Sequence, residues 1–299
     1  MALLLAGVGA SVMYLVEPEF WWIGAGIPIV GMGIYYPMMA DSGSKWILNM
    51  SQARPATKEE DQILRNVGEE MAIAAGITMP DIYVIEDSAP NAFATGWEPK
   101  KSAVCFTTGI IKKLNRDELQ GVMAHEIAHI RNYDTRLMMA LVLTVGVIVF
   151  LRDAIFRSGL HRRTSRRDSK ADGIIMVIVI VFLILAPLFA VLLKMAVSRK
   201  REYLADATAA QLTRYPDALA DALEKLEADR EPLEAANRAT MHLFIVNPFK
   251  KTGFLGETNL FSTHPPTRNR INRLRSMGFL GHDREQQQNQ LGNVYDKRE

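Results

Sequence analysis

His125, Glu126 and His129 stand in the run His125-Glu126-Ile127-Ala128-His129, two imidazoles four residues apart with a carboxylate between them. On a helix that spacing projects both rings from one face towards one point. Two histidines so placed suit two ligands of a tetrahedral zinc ion, and the glutamate beside the first can reach water at the metal. The ordinary alternative is an amphipathic helix that happens to carry two histidines. Against it stand the small and apolar neighbours Gly121, Val122, Ala124, Ile127 and Ala128, which let a helix bury its ligands.

A catalytic zinc needs a third protein ligand and an open fourth position. His161 lies in a very basic loop, His282 at the edge of a polar tail, and His242 on an apolar helix face, where a satisfied core histidine is the plainer role. Glu202 is the better candidate. It precedes Asp206 by four residues, so the two carboxylates share a helix face, and one can bind metal while the other orients a ligand imidazole. Two carboxylates on a helix also fit a solvated surface. Asp134, on the turn after His129, is a further candidate for orienting a ligand, its plainer role being a surface charge.

The elements that must carry these residues read as mainly α with a small β-sheet. Thr57-Lys58-Glu59-Glu60 has the capping-box pattern and opens a helix to about Ala75, stopped at Gly76. Strands are expected at Asp81–Glu86, at Asn91–Gly96 and at Ser102–Thr107, the last ending in a turn at Gly109. Asn115-Arg116-Asp117-Glu118 is a second capping box, opening the helix that holds His125 and His129. No Gly or Pro intervenes before Leu137, so that helix is expected to run on into the apolar block there. A helix through Glu202–Thr213 follows, then helices over roughly Asp217–Ala228 and Leu233–Leu243, a loop over Asn247–Ser262 and a short helix after Pro266.

A mean hydropathy of +0.01 hides strong segregation. Met1–Val16 carries no charge, Phe20–Met39 gives twenty uncharged residues, Leu137–Leu151 fifteen and Gly173–Leu193 twenty-one. A spanning helix needs roughly 20 apolar residues. The chain therefore reads as a membrane protein with about four apolar helices. Residues 1–39 form a transmembrane hairpin and 40–136 the first part of a metal-binding domain. Residues 137–197 form a second membrane hairpin with a basic loop at 152–172, 198–282 the second part of the domain, and 283–299 a polar, disordered tail. His125 precedes the second hairpin and Glu202 follows it, so both of its blocks span or neither does. The acidic first loop, Glu17 and Glu19, belongs outside, which turns the metal site to the cytoplasm. The seven basic residues of the second loop contradict that rule if both blocks span, and argue for a re-entrant or interfacial hairpin or for a loop held at acidic headgroups; the length of Gly173–Leu193 still favours spanning. A formal charge of +2 and no basic face interleaved with aromatics exclude nucleic acid as a partner. The single cysteine, Cys105, excludes a disulfide framework and fits a buried strand position in a reducing compartment.

Four strings in order, PNAFATG, HEIAH, SRKREYLAD and STHPPTRNRI, resemble those of the HtpX-type membrane zinc metalloproteases, relatives of the CAAX prenyl proteases. The resemblance covers nearly the whole chain and the order of all four apolar blocks, departing mildly in the basic loop. It implies a zincin-like α+β domain with one zinc per chain on His125, His129 and Glu202. Glu126 would be the catalytic base, taking a proton from metal-activated water and returning it to the leaving amine. It also brings His264, before Pro265-Pro266, and Arg270 into the active site, as donors to the developing oxyanion worth ~3 kcal/mol for one such group. Asn91, Ala92, Phe93 and Ala94 would form a sheet edge that takes an extended peptide as an added strand. The implied work is endoproteolytic quality control of unfolded or membrane-protein polypeptides at the plasma (inner) membrane. Prenyl-protein cleavage is the alternative within the wider family. A scaffold with structural zinc is disfavoured, because such sites fill four positions, usually with cysteine. An intramembrane protease is disfavoured by the charged residues flanking the motif.

Overall fold

The computed structural model describes residues 6–7, 10, 13–14, 17–140, 199–235, 240, 243–246, 248 and 265–278. They divide between two compact units, Met1–Gly43 with Ala140–Met195 and Ser44–Met139 with Ala196–Glu299. Most of Met1–Val16, the third apolar block beyond Ala140, the basic loop, the block Gly173–Leu193, His161, His242, His264, His282 and the tail lie outside the described residues.

The first unit is described chiefly through helix α1, Trp21–Met50, entered by a single turn of 3-10 helix at Pro18–Phe20; from Ser44 on the helix belongs to the second unit. Pro37 has no N–H to give and its ring crowds the preceding turn, so the helix breaks there. Its arms Pro18–Tyr35 and Pro37–Met50 are bent by 60°. No single helix among the described residues is long and apolar enough to cross a membrane, although these two arms together are.

The second unit begins its folding logic at the capping boxes. Helix α2, Lys58–Ala75, starts where the Thr57 side chain accepts from the Glu60 N–H and the Glu60 side chain caps Thr57 in return, and stops at Gly76 with φ 67°. Glu60 also receives the guanidinium of Arg54, from the short strand β1, Arg54–Pro55. That bond holds the Glu60 carboxyl down to about 2. A depressed carboxylate stabilises the fold above its ordinary value of 4.5 and loses that contribution as pH falls through about 2. Glu60→Gln should therefore lower the denaturation midpoint slightly at pH 7, with the gap to wild type closing between pH 4.5 and 2; a gap independent of pH would contradict this.

Strands β2 (Asp81–Ile85), β3 (Ala92–Gly96) and β4 (Ser102–Thr107) complete one sheet in the order β1-β2-β4-β3. β2 and β4 are parallel, while β3 pairs antiparallel with β4 and forms an edge, Ala92 opposite Phe106 and Gly96 opposite Ser102. Cys105 is buried in β4. The expected turn at Gly109 is instead the first turn of helix α3, Thr108–Lys113, because the Thr107 hydroxyl accepts the Ile110 N–H and caps a new helix directly at the strand end. Helix α4, Arg116–Arg131, opens on the predicted Asn115–Glu118 capping box and is buried along most of its length. It packs on the sheet and on α2, on α6 (Arg199–Thr213) and on α7 (Pro216–Ala228). Gly121 allows the last of these contacts: a Cβ there would lie 2.9 Å from the Leu219 backbone.

The metal-motif helix does not run on into the apolar block: it ends at Arg131, Tyr133 takes φ 58°, and a new helix, α5, covers 134–140. No breaker residue does this. The Asn132 and Tyr133 N–H groups close the helix end on Ala128 and Ile130, and Arg136 lies over the Tyr133 and Trp97 rings while donating to the Trp97 carbonyl. Most of the helix expected over Leu233–Leu243 lies outside the described residues, and its described ends, 233–235, 240 and 243, are turn or irregular. Asp87 draws the Glu234 and Ala235 N–H groups to its carboxylate, and the Leu233 N–H goes to the Pro248 carbonyl. A last helix, α8, covers 267–278.

Candidate metal centre

α4 brings His125, Glu126 and His129 to one face, and α6 lies against it with Glu202 and Asp206. His125, Glu126, Glu202 and Asp206 are buried. The His125 and His129 Nε2 atoms are 3.2 Å apart, and the Glu202 carboxylate oxygens lie 3.6 Å from His129 Nε2 and 3.9 Å from His125 Nε2. Metal–ligand bonds of about 2.0–2.1 Å imply tetrahedral ligand–ligand edges of roughly 3.3 Å, so the two imidazoles and the Glu202 carboxylate fit three corners of a zinc site. They form the group that could hold a metal ion among the described residues, all within 4.8 Å of one another.

Each imidazole is oriented from behind. His125 Nδ1 is 3.0 Å from Asp206 Oδ1, and His129 Nδ1 is 3.0 Å from Asp134 Oδ2. A carboxylate at Nδ1 assigns the proton to that nitrogen and leaves the Nε2 lone pair for the metal. Asp134 reaches His129 only because α4 ends where it does, since the break at Tyr133 places it at the head of α5. Its second oxygen accepts from Arg201 Nη1 at 3.0 Å, so a residue adjacent to Glu202 braces the partner of His129. Asp134→Asn should weaken zinc about 10–100-fold in chelator competition, and Arg201→Gln should weaken it in the same sense but less. Unchanged zinc affinity in Asp134→Asn would remove this role.

Arg270, on α8, is the largest fully buried side chain among the described residues, at 1% exposure. Its Nε and Nη2 fork the Asp206 carboxylate at 2.9 and 2.7 Å, its Nη1 donates to the Ile245 carbonyl at 3.2 Å, and Glu202 Oε2 lies 3.5 Å away. Burial alone would raise the Asp206 carboxyl, but the Arg270 charge and the bonds from His125 and Arg270 hold it down to about 2. The Glu126 carboxyl is pushed up to about 7 by burial, with the Glu202 charge adding to the rise; His129, Arg270 and the Ala94 N–H restrain it.

A pocket opens over this centre, lined by Ala94, His125, Glu126, His129, Asp134, Thr135, Met138, Glu202, Leu243 and Ile245. Of the expected peptide-binding edge, Ala94 lines it. Asn91 is buried and tied to the chain itself, its Nδ2 donating to the Val246 carbonyl at 3.1 Å and its Oδ1 accepting the Val246 N–H at 3.4 Å. The Ala92 carbonyl accepts the Ile245 N–H at 2.9 Å, and Phe93 stacks edge-on against Phe244. Sequence reasoning missed Arg201, Leu243 and Ile245. Arg201 adjoins a named ligand and was within reach of it; the other two stand in no local pattern.

A helix-borne pair of histidines, a buried glutamate beside them and a carboxylate ligand from a second helix define a metallopeptidase centre. Residues 58–278 match the profile of Peptidase family M48. The chain is 52% identical over 232 residues to a Protease HtpX homolog of Dictyoglomus thermophilum, covering 78% of this chain and 75% of that one. It is 44% identical over 265 residues to a Protease HtpX homolog of Thermoanaerobacter pseudethanolicus, covering 86% and 87%, and 42% identical over 282 residues to one of Lactobacillus helveticus, covering 92% of each. Among solved structures it is similar to S. mikatae Ste24p, with a TM-score of 0.51 at 21% identity; the match covers 91% of this chain and 64% of that protein's length, a likeness of fold. The chain belongs to peptidase family M48 and is a metalloprotease, a hydrolase of peptide bonds.

Proposed function

We propose that this chain is a membrane-embedded zinc endopeptidase that cleaves unfolded or damaged membrane-protein segments in proteolytic quality control. The observation that carries the reading is the convergence of His125 Nε2, His129 Nε2 and the Glu202 carboxylate within 4.8 Å, with buried Glu126 beside them. His125, His129 and Glu202 would hold one zinc per chain, and bound zinc supplies Lewis acidity, polarising a carbonyl and acidifying water. Glu126, with its carboxyl near 7, accepts a proton at neutral pH and passes it to the leaving amine. Asp206 and Asp134 hold the two imidazoles in register. Arg270, absent from the pocket lining and forked onto Asp206, acts as a positioning residue behind the ligands; the oxyanion donor is left to His264.

The membrane reading is supported by α1, whose flanking and inner residues Phe20, Trp21, Trp22, Ile27, Ile29, Val30 and Ile34 are exposed. Apolar side chains exposed around a helix belong in lipid, and aromatics at one end suit the interface. The acidic turn at Glu17 and Glu19 then lies outside and the metal centre faces the cytoplasm. Ser158→Cys and Ser169→Cys, with Cys105 replaced, test the second hairpin: labelling of intact cells by an impermeant thiol reagent is expected if it spans, and protection overturns spanning. The substrate class is tested by offering the protein denatured casein beside a farnesylated C-terminal peptide. Chelator-sensitive cleavage of casein supports the proposal, and cleavage confined to the farnesylated peptide overturns it.

A further inference from the structure

The segment Leu243–Val246 is irregular, a turn followed by bends, and is tied to the edge strand β3. Ile245 has both backbone groups held, its N–H by the Ala92 carbonyl at 2.9 Å and its carbonyl by Arg270 Nη1 at 3.2 Å. Val246 is clasped on both sides by the Asn91 amide, and Phe244 is anchored edge-on to Phe93 with ring centroids 5.2 Å apart. Phe244 is thereby turned onto Phe93, while Leu243 and Ile245 both line the metal pocket. Met138 and Ala94 complete the apolar part of its wall.

The same bonds limit where a peptide can pair. In an antiparallel strand the outward-facing groups recur at every second residue, so beyond Ala92 they fall at Ala94 and Gly96. Ala92 is already bonded to Ile245 and the Ala94 N–H to Glu126, so an added strand is left the Ala94 carbonyl and Gly96, and its end at the metal abuts the wall made by Leu243 and Ile245. Backbone pairing reads no side chain; the wall does.

We infer that Leu243 and Ile245 determine selectivity, admitting an aliphatic side chain of limited size at one position beside the scissile bond and rejecting aromatic and charged ones. The inference rests on the endopeptidase reading. Its test is to digest a peptide mixture from a denatured proteome with the full-length protein in detergent, with and without chelator, and to map cleavage sites by mass spectrometry. Wild type should show aliphatic enrichment at one flanking position. Leu243→Ala and Ile245→Ala should raise aromatic acceptance there roughly tenfold or more, the scale on which one pocket methylene discriminates. Ile245→Val should move it less in the same direction, which guards against misfolding of the larger truncations, and zinc content should stay at the wild-type level in all three. Chelator-sensitive cleavage without aliphatic enrichment, or variants that share the wild-type profile, would overturn the selectivity role and leave the endopeptidase reading intact. No chelator-sensitive cleavage by wild type would overturn both.

Discussion

Glu126→Gln is expected to keep its zinc and lose about 10²–10⁴-fold in kcat, the range that a positioned general base contributes. The amide fills the same buried space and still offers an oxygen to the Ala94 N–H, so the pocket should hold its shape. It cannot take a proton. Glu126 also stands apart from the three atoms that converge on the metal position, so zinc stoichiometry should match wild type. Atomic absorption on the purified variant, paired with a cleavage assay, checks both halves. A variant that cleaves normally would remove Glu126 as the base, and one that loses zinc would mean that it helps hold the metal.

Glu202→Ala should behave in the opposite way, losing metal and activity together. Removing an orienting partner such as Asp134 costs about 10–100-fold in metal affinity, and removing a ligand should cost more. The site also leaves little room for a substitute. Asp206, one turn on, is forked by Arg270 and bonded to His125 Nδ1, so it cannot turn to the metal without uncovering two buried partners. Glu202→Gln keeps the volume and loses the charge, and should fall between wild type and alanine in zinc retained after dialysis. Full zinc retention by Glu202→Ala would move the third ligand elsewhere, with His264 the next residue to examine.

Much of this centre could be read before any coordinates, because helical periodicity is local. The i, i+4 spacings of His125 with His129 and of Glu202 with Asp206 state which side chains share a face, and the two capping boxes state where α2 and α4 begin. What could not be read depends on tertiary bonds. Nothing between His129 and Leu137 is a helix breaker, yet α4 ends at Arg131: Tyr133 turns to φ 58° and bonds Ile130, Asp134 pairs with His129 and Arg136 donates to Trp97. That break is what brings Asp134 to His129. The spacing of Arg270 from His264 is visible in sequence, and its fork to Asp206 is not.

The central claim is that one zinc on His125, His129 and Glu202 drives hydrolysis. The most direct measurement strips the purified full-length protein of metal with chelator, then titrates zinc back while following cleavage of denatured casein. Cleavage should vanish on stripping and return in proportion to added zinc, levelling at one ion per chain, with Glu126→Gln binding the same ion and staying inactive. Cleavage that persists in the stripped protein, or that needs no residue of this set, would contradict the account.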